Sequence, residues 1–154
     1  MDRKQKISRK QIYYFNRIPF RFKLIAFEAF LTMAISRFYI LFIPFRRVAT
    51  RMGKPMHETT KEIDSERLTY ARQIAWMIEK VSNYTPWESK CLVRALTGQK
   101  MLKKRKIPST LYLGVKKENV DGLSAHAWLR CGNFVILGGK ERSGYTTVAY
   151  FGAD

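Results

Sequence analysis

The sequence predicts an α+β domain in which N-terminal helices are followed by a small antiparallel sheet. Three observations lead there. Before Pro108, apolar residues recur at the three- and four-residue spacing of helices. After Pro108 the spacing changes to the alternation of strands. Gly132-Asn133, between two such runs, reads as a two-residue hairpin turn, which makes its flanking strands antiparallel.

Residues 1 to about 17 mix Lys, Arg, Gln and aromatic side chains without a clean period and predict a frayed basic arm. Helix signals begin after Pro19. Leu24, Ile25, Phe27, Phe30, Leu31, Ala34, Ile35, Phe38 and Leu41 approximate the i, i+3, i+4 pattern, and Pro44 supplies a stop. The stretch from Phe45 to Lys61, with Arg46, Arg47, Arg51, Gly53 and Pro55, suits a basic connection more than a core element. From Lys61 to about Val81, Ile63, Leu68, Ala71, Ile74, Ala75 and Ile78 predict a second helix. Thr85-Pro86-Trp87-Glu88 has the form of a capping box with Pro at the first helical position, so a third helix is expected from there. Lys103-Lys104-Arg105-Lys106 then places cations at the negative end of its dipole. Strands are expected over 110–115, 125–131, 134–137 and 145–151.

A chain of 154 residues with 46% hydrophobic composition suits one modest domain with a real core. The formal charge is +17, and residues 1 to 57 hold 13 Lys and Arg against Asp2 and Glu28, so 11 of the 17 lie in that segment. Such an excess attracts nucleic acid, anionic lipid or an acidic peptide alike. Nucleic acid is not the expected partner, because charge and aromatics occur here without the spacing of any nucleic-acid fold. Two cysteines do not make a disulfide framework, which points to a reducing compartment. No small-residue cleavage site follows the apolar run, so no secretory signal is expected. The run from Leu24 to Phe45 carries Glu28, Ser36 and Arg37, which argues against a transmembrane span. The expected location is cytoplasmic, with peripheral membrane contact as a secondary expectation.

Two residues bear the chemistry. Cys91 lies in the third helix, and His126 follows it 35 positions later in the strand 125–131. A thiol becomes a useful nucleophile when an imidazole and a helix N-terminus favour its thiolate. Both groups also fit a buried, unreactive role. If the helix starts at Thr85, Cys91 falls in its second turn, where the dipole has weakened; a start nearer Ser89 puts it at the mouth. Strand alternation sets His126, Trp128 and Arg130 on one face and Ala127, Leu129 and Cys131 on the other, which makes Cys131 the poorer partner and a core residue. His57, in the basic connection, suits a surface role. Neither a metal nor a cofactor is expected.

Pro86-Trp87-Glu88-Ser89-Lys90-Cys91-Leu92, Ala95-Leu96, residues 107–115 from Ile107-Pro108 to Gly114-Val115, and Ala125-His126-Ala127-Trp128-Leu129 fall in one order and spacing. Together they resemble the transglutaminase-like leader peptidases of lasso-peptide biosynthesis, over about residues 80 to 151. The resemblance implies a papain/transglutaminase-like core over 58–154, preceded over 1–57 by a basic arm, amphipathic helix and connection. It implies that Cys91 attacks the bond between leader and core of a ribosomally made precursor peptide. His126 would be general base and acid, the backbone N–H of Cys91 an oxyanion donor, and Trp87, Ser89 and Trp128 part of the substrate or oxyanion region. A separate leader-binding recognition-element protein and an ATP-dependent lasso cyclase are the partners it implies, with the first helix and Arg46-Arg47 as a docking face.

The family carries an acidic third residue on the strand after the His. Here Gly138 occupies the expected position. With Gly132-Asn133 as the turn, paired residues sum to 265, so His126 lies opposite Gly139 and beside Gly138. Asn133 is about 20 Å away along the strand. Asp121, Glu141 and Asp154 reach His126 only if loops fold back, so a backbone carbonyl or another side chain is expected to orient it. The alternatives are an acyl transferase of transglutaminase-like type, and a non-catalytic basic module for anionic membrane or nucleic acid.

Overall fold

The computed structural model describes residues 19–118 and 122–154, so the arm expected over residues 1 to 17 and Asp121 lie outside it. Its elements are α1 (Phe20–Phe42), α2 (Phe45–Ala49), β1 (Lys54–Pro55), α3 (Ser65–Ser82), α4 (Cys91–Lys104), β2 (Ser109–Lys117), β3 (Leu123–Cys131), β4 (Phe134–Leu137) and β5 (Thr146–Ala153). The class is α+β, with helices first and a five-stranded antiparallel sheet of order β1-β5-β2-β3-β4.

Local chemistry sets most boundaries. α1 begins after Pro19 and ends at Phe42, with Ile43 as its cap before Pro44. Asp64 caps α3 by accepting from the Arg67 N–H at 2.8 Å, which satisfies one of the orphan donors at a helix start. Gly132, at φ +58°, turns the chain between β3 and β4, and Cys131 pairs with Phe134 as the two-residue hairpin requires.

Two expectations need correction. The third helix does not start at Thr85, because the Thr85 hydroxyl is used elsewhere. It lies 3.0 Å from the carbonyls of Ser82 and Trp87 and 2.9 Å from Ser89 Oγ, closing a compact turn instead of capping a helix. α4 therefore starts at Cys91. The basic connection, in turn, is not free of core elements. Val48 on α2 and Met52 are buried, and β1 pairs with β5 through Lys54↔Gly152 and Pro55↔Phe151. Both pieces are too short to show a period, and Pro55 is tolerated because β1 is an edge strand.

α4 is the central helix, packed against α1 and α3 on one side and against β2 and β3 on the other. Gly98 makes the helix–sheet approach close: a Cβ there would come within 2.7 Å of Leu137 Cδ1 and 2.8 Å of Leu129 Cδ2. Gln99 Nε2 donates to the Phe151 carbonyl at 2.9 Å and ties the helix to β5. Leu96, Leu102, Leu111 and Leu129 are fully buried around this contact, each stabilising the fold by about 1.5–3 kcal/mol. On the opposite face of the sheet, Arg130 donates to Tyr112 Oη and to the carbonyls of Thr59 and Gly132, clamping the segment after β1 onto the strands.

Candidate active site

Cys91 is the first residue of α4. Its cap residue, Lys90, contributes no side-chain hydrogen bond to the N–H groups of the first turn, and no other side chain among the described residues caps them. Such a helix start favours negative charge in front of it. Cys91 is half-buried against the core, and its Sγ makes no hydrogen bond among the described residues. The segment leading to it is held from two sides. Thr85 grips Ser89, and the Trp87 ring packs on Phe30 of α1 at 5.0 Å between centroids.

His126 is buried on β3 and sits between two aromatic rings, Trp128 at 6.0 Å and Tyr145 at 5.2 Å. Tyr145 is in turn held by a 2.7 Å hydrogen bond between its hydroxyl and Ser124 Oγ. His126 Nε2 lies 2.8 Å from the carbonyl oxygen of Gly138. A carbonyl only accepts, so Nε2 carries the proton and donates it. In the neutral ring Nδ1 is then left with its lone pair, the form a general base needs.

That contact arises from a register slip. Cys131↔Phe134 and Arg130↔Val135 sum to 265, but Leu129 pairs with Leu137, one residue further on. The bulge ends β4 at Leu137 and corrects the expected pairing of His126 with Gly139. Gly138, at φ +69°, turns its carbonyl to the imidazole. A Cβ at Gly138 would stand 2.5 Å from the Ala127 carbonyl oxygen and 3.2 Å from His126 Nε2, so a side chain, acidic or not, does not fit there.

α4 and β3 run in the same direction, because the short link after Lys104 delivers β2 antiparallel to both. From the Gly98–Leu129 contact, seven helical residues back to Cys91 and three strand residues back to His126 each cover about 10 Å. The two residues thus lie at the same end of the α4–β3 pair. They are not joined by a hydrogen bond. Ala127 and Leu129 belong to the core against α4, whereas His126 and Trp128 stack with aromatics on the other face of the sheet, so the fold sets Cys91 and His126 at one end without bringing them into contact.

The remaining expected residues divide. Trp128 is 6% exposed and stacks on Tyr112 with planes 5° apart, so it buttresses His126. The Ser89 hydroxyl is engaged by Thr85. Arg46 and Arg47 are exposed on α2. Asp154 lies 3.9 Å from His57 and Glu141 is exposed, with no contact to His126 among the described residues. Burial pushes the Cys131 thiol up to about 11, partly opposed by Arg130, so that thiol stays protonated at neutral pH. Sequence reasoning missed Tyr145 as a neighbour of the ring, while the backbone carbonyl expected to orient it is that of Gly138. The signal for Gly138 was present as a glycine where a carboxylate was expected.

A model of the transglutaminase-like superfamily matches residues 39–150, well over half of the chain. The chain belongs to the transglutaminase-like superfamily. No curated protein and no solved structure matches it. Membership in the transglutaminase-like superfamily suggests chemistry of the cysteine protease or acyl transferase type. It also accounts for the architecture around α4 and β3.

Proposed function

We propose that this transglutaminase-like protein is a cysteine endopeptidase that removes the leader from a ribosomally synthesised lasso-peptide precursor. Cys91 is the nucleophile and His126 the general base and acid. The observation that carries the reading is the Nε2–H to Gly138 carbonyl bond, which leaves Nδ1 as the proton acceptor on a ring held between Trp128 and Tyr145. The four sequence blocks around Cys91 and His126 support the choice of a leader peptide as substrate.

In the proposed reaction Nδ1 takes the Sγ proton and Sγ bonds to the scissile carbonyl carbon. The oxyanion is met by the Cys91 N–H at the uncapped start of α4. Collapse breaks the C–N bond, and the proton passes from Nδ1 to the leaving amine. Water then hydrolyses the thioester. Attack needs Sγ and Nδ1 within hydrogen-bond reach, and His126 stacks on the sheet face away from α4, so the proposed reaction requires binding of precursor or partner to bring the ring and Cys91 together at the end of the sheet. A separate recognition-element protein presents the leader, and an ATP-dependent cyclase receives the core.

The test mixes purified protein with precursor and recognition partner and follows mass. Hydrolysis releases leader and core with one added water, and Cys91→Ala abolishes it. Cleavage at an undiminished rate by Cys91→Ala would remove the nucleophile from the scheme. Products carrying an amine in place of water would convert the assignment to acyl transfer.

A further inference from the structure

The helix α1 is apolar on both its buried and its exposed face. Its core face carries Ile25, Ala26, Ala29, Met33 and Ser36, with Phe22, Tyr39 and Ile40 packed against the core beside them. Its outer face carries Phe20, Leu24, Phe27, Leu31, Ile35 and Phe38, each exposed by 45% or more. Leu41 and Phe42 extend the stripe to the end of the helix. These positions repeat at steps of three and four, so they form one continuous apolar band about 33 Å long, and none is charged. A helix of a water-facing domain carries polar side chains on its outer face, and an apolar band of this size there marks an interaction surface.

We propose that this face of α1 docks the protein in the plane of an anionic lipid bilayer. Charge selects lipid over a second copy. Residues 1 to 57 hold 13 Lys and Arg against two acids, and one of those acids, Glu28, is already paired with Lys104 and Arg105. Two copies meeting through α1 would bring two such segments together, whereas anionic headgroups neutralise them. Exposed Arg21 lies in the first turn and exposed Arg46 and Arg47 just past the last, where headgroups would flank a buried helix.

The same ion pairs decide between lying on and crossing the bilayer. By length and composition α1 is able to span one. Its inner face, however, is tied to the domain at two points, by Glu28 to Lys104 and Arg105 and by Arg37 to Glu88 at 3.8 Å. Phe30 and Trp87 pack between these ties. A spanning helix would have to leave all of them, so α1 enters the interface side-on. The inference goes beyond the proposed cysteine chemistry and does not depend on it.

The experiment is co-sedimentation of the full chain with vesicles of phosphatidylcholine, with and without phosphatidylglycerol. The expected result is partitioning at least about tenfold stronger on the anionic vesicles, weakening as salt rises. The double variant Leu31→Glu, Phe38→Glu should lose about tenfold or more of it while keeping the wild-type circular dichroism spectrum. Should that variant misfold, Phe38→Trp provides an independent readout, because its added emission should be quenched by brominated acyl chains. Absence of quenching in the Phe38→Trp variant, or a folded Glu variant that binds as well as wild type, overturns the proposal. So does self-association through α1 without vesicle binding, or a protein that resists alkaline carbonate extraction as a spanning helix does.

Discussion

Cys91 and Cys131 carry the same thiol in two regions that treat it in opposite ways. Cys131 closes β3 on the core side of the sheet, fully buried, and its thiol is pushed up to about 11 by that burial. Cys91 opens α4, half-buried, at a helix start that no side chain among the described residues caps. Reactivity follows from which groups surround the sulfur, since only the thiolate is nucleophilic. A folded domain holds one thiol inert in its interior and leaves the other at a helix mouth, at the same end as a histidine whose tautomer is set.

The largest effect that would break the comparison is loss of Cys91. Cys91→Ala should lower leader release at least about 10³-fold, with Cys131→Ala within about threefold of wild type, both read by mass spectrometry. His126→Ala should cost nearly as much as Cys91→Ala, and the double variant little more, because the two act as a unit. An additive double variant would mean that they do not. Under mild alkylation at neutral pH, Cys91 should be modified in the folded protein and Cys131 only after unfolding, as peptide mapping would report.

Gly138 tests how the base is oriented. Its positive φ and the 2.5 Å clearance from a Cβ to the Ala127 carbonyl predict that Gly138→Ala destabilises by about 1–3 kcal/mol in urea unfolding. Activity should fall further than stability explains, because the carbonyl accepting from His126 Nε2 must move. Unchanged stability would show that this turn is not strained by a side chain.

The smallest effect belongs to pH. The Cys131 thiol is raised from 9.0 to about 11 in the folded chain, so the folded state holds a proton that the unfolded state releases first. That contribution to stability is fully present below about pH 9 and is lost as pH rises toward about 11, a decline on the order of 2 kcal/mol. Cys131→Ala should flatten that part of the stability profile. A decline that persists unchanged in the variant would assign it to other groups.

Much of this arrangement was legible in the chain. Apolar periodicity located α1 and α3, and alternation located β2 to β5 and set His126 apart from Cys131 by parity. The start of α4 was not legible, because Thr85-Pro86-Trp87-Glu88 satisfies a capping box on paper and only the competing contacts to Ser82, Trp87 and Ser89 decide otherwise. α2 and β1 escaped because five and two residues carry no measurable period.

The sequence by itself determined the order of helices and strands, the face of β3 that carries His126, and the glycine where a carboxylate was expected. Each of these is a property of neighbours along the chain, since side-chain direction follows local backbone geometry. Only the tertiary structure decided that α4 begins at Cys91, that a bulge shifts β4 by one residue, and that the Gly138 carbonyl therefore meets His126. It also decided that α1 leaves a second apolar stripe, from Phe20 to Phe42, on its outer face. These outcomes rest on contacts between distant segments, where packing, register and hydrogen-bond competition outweigh local preference.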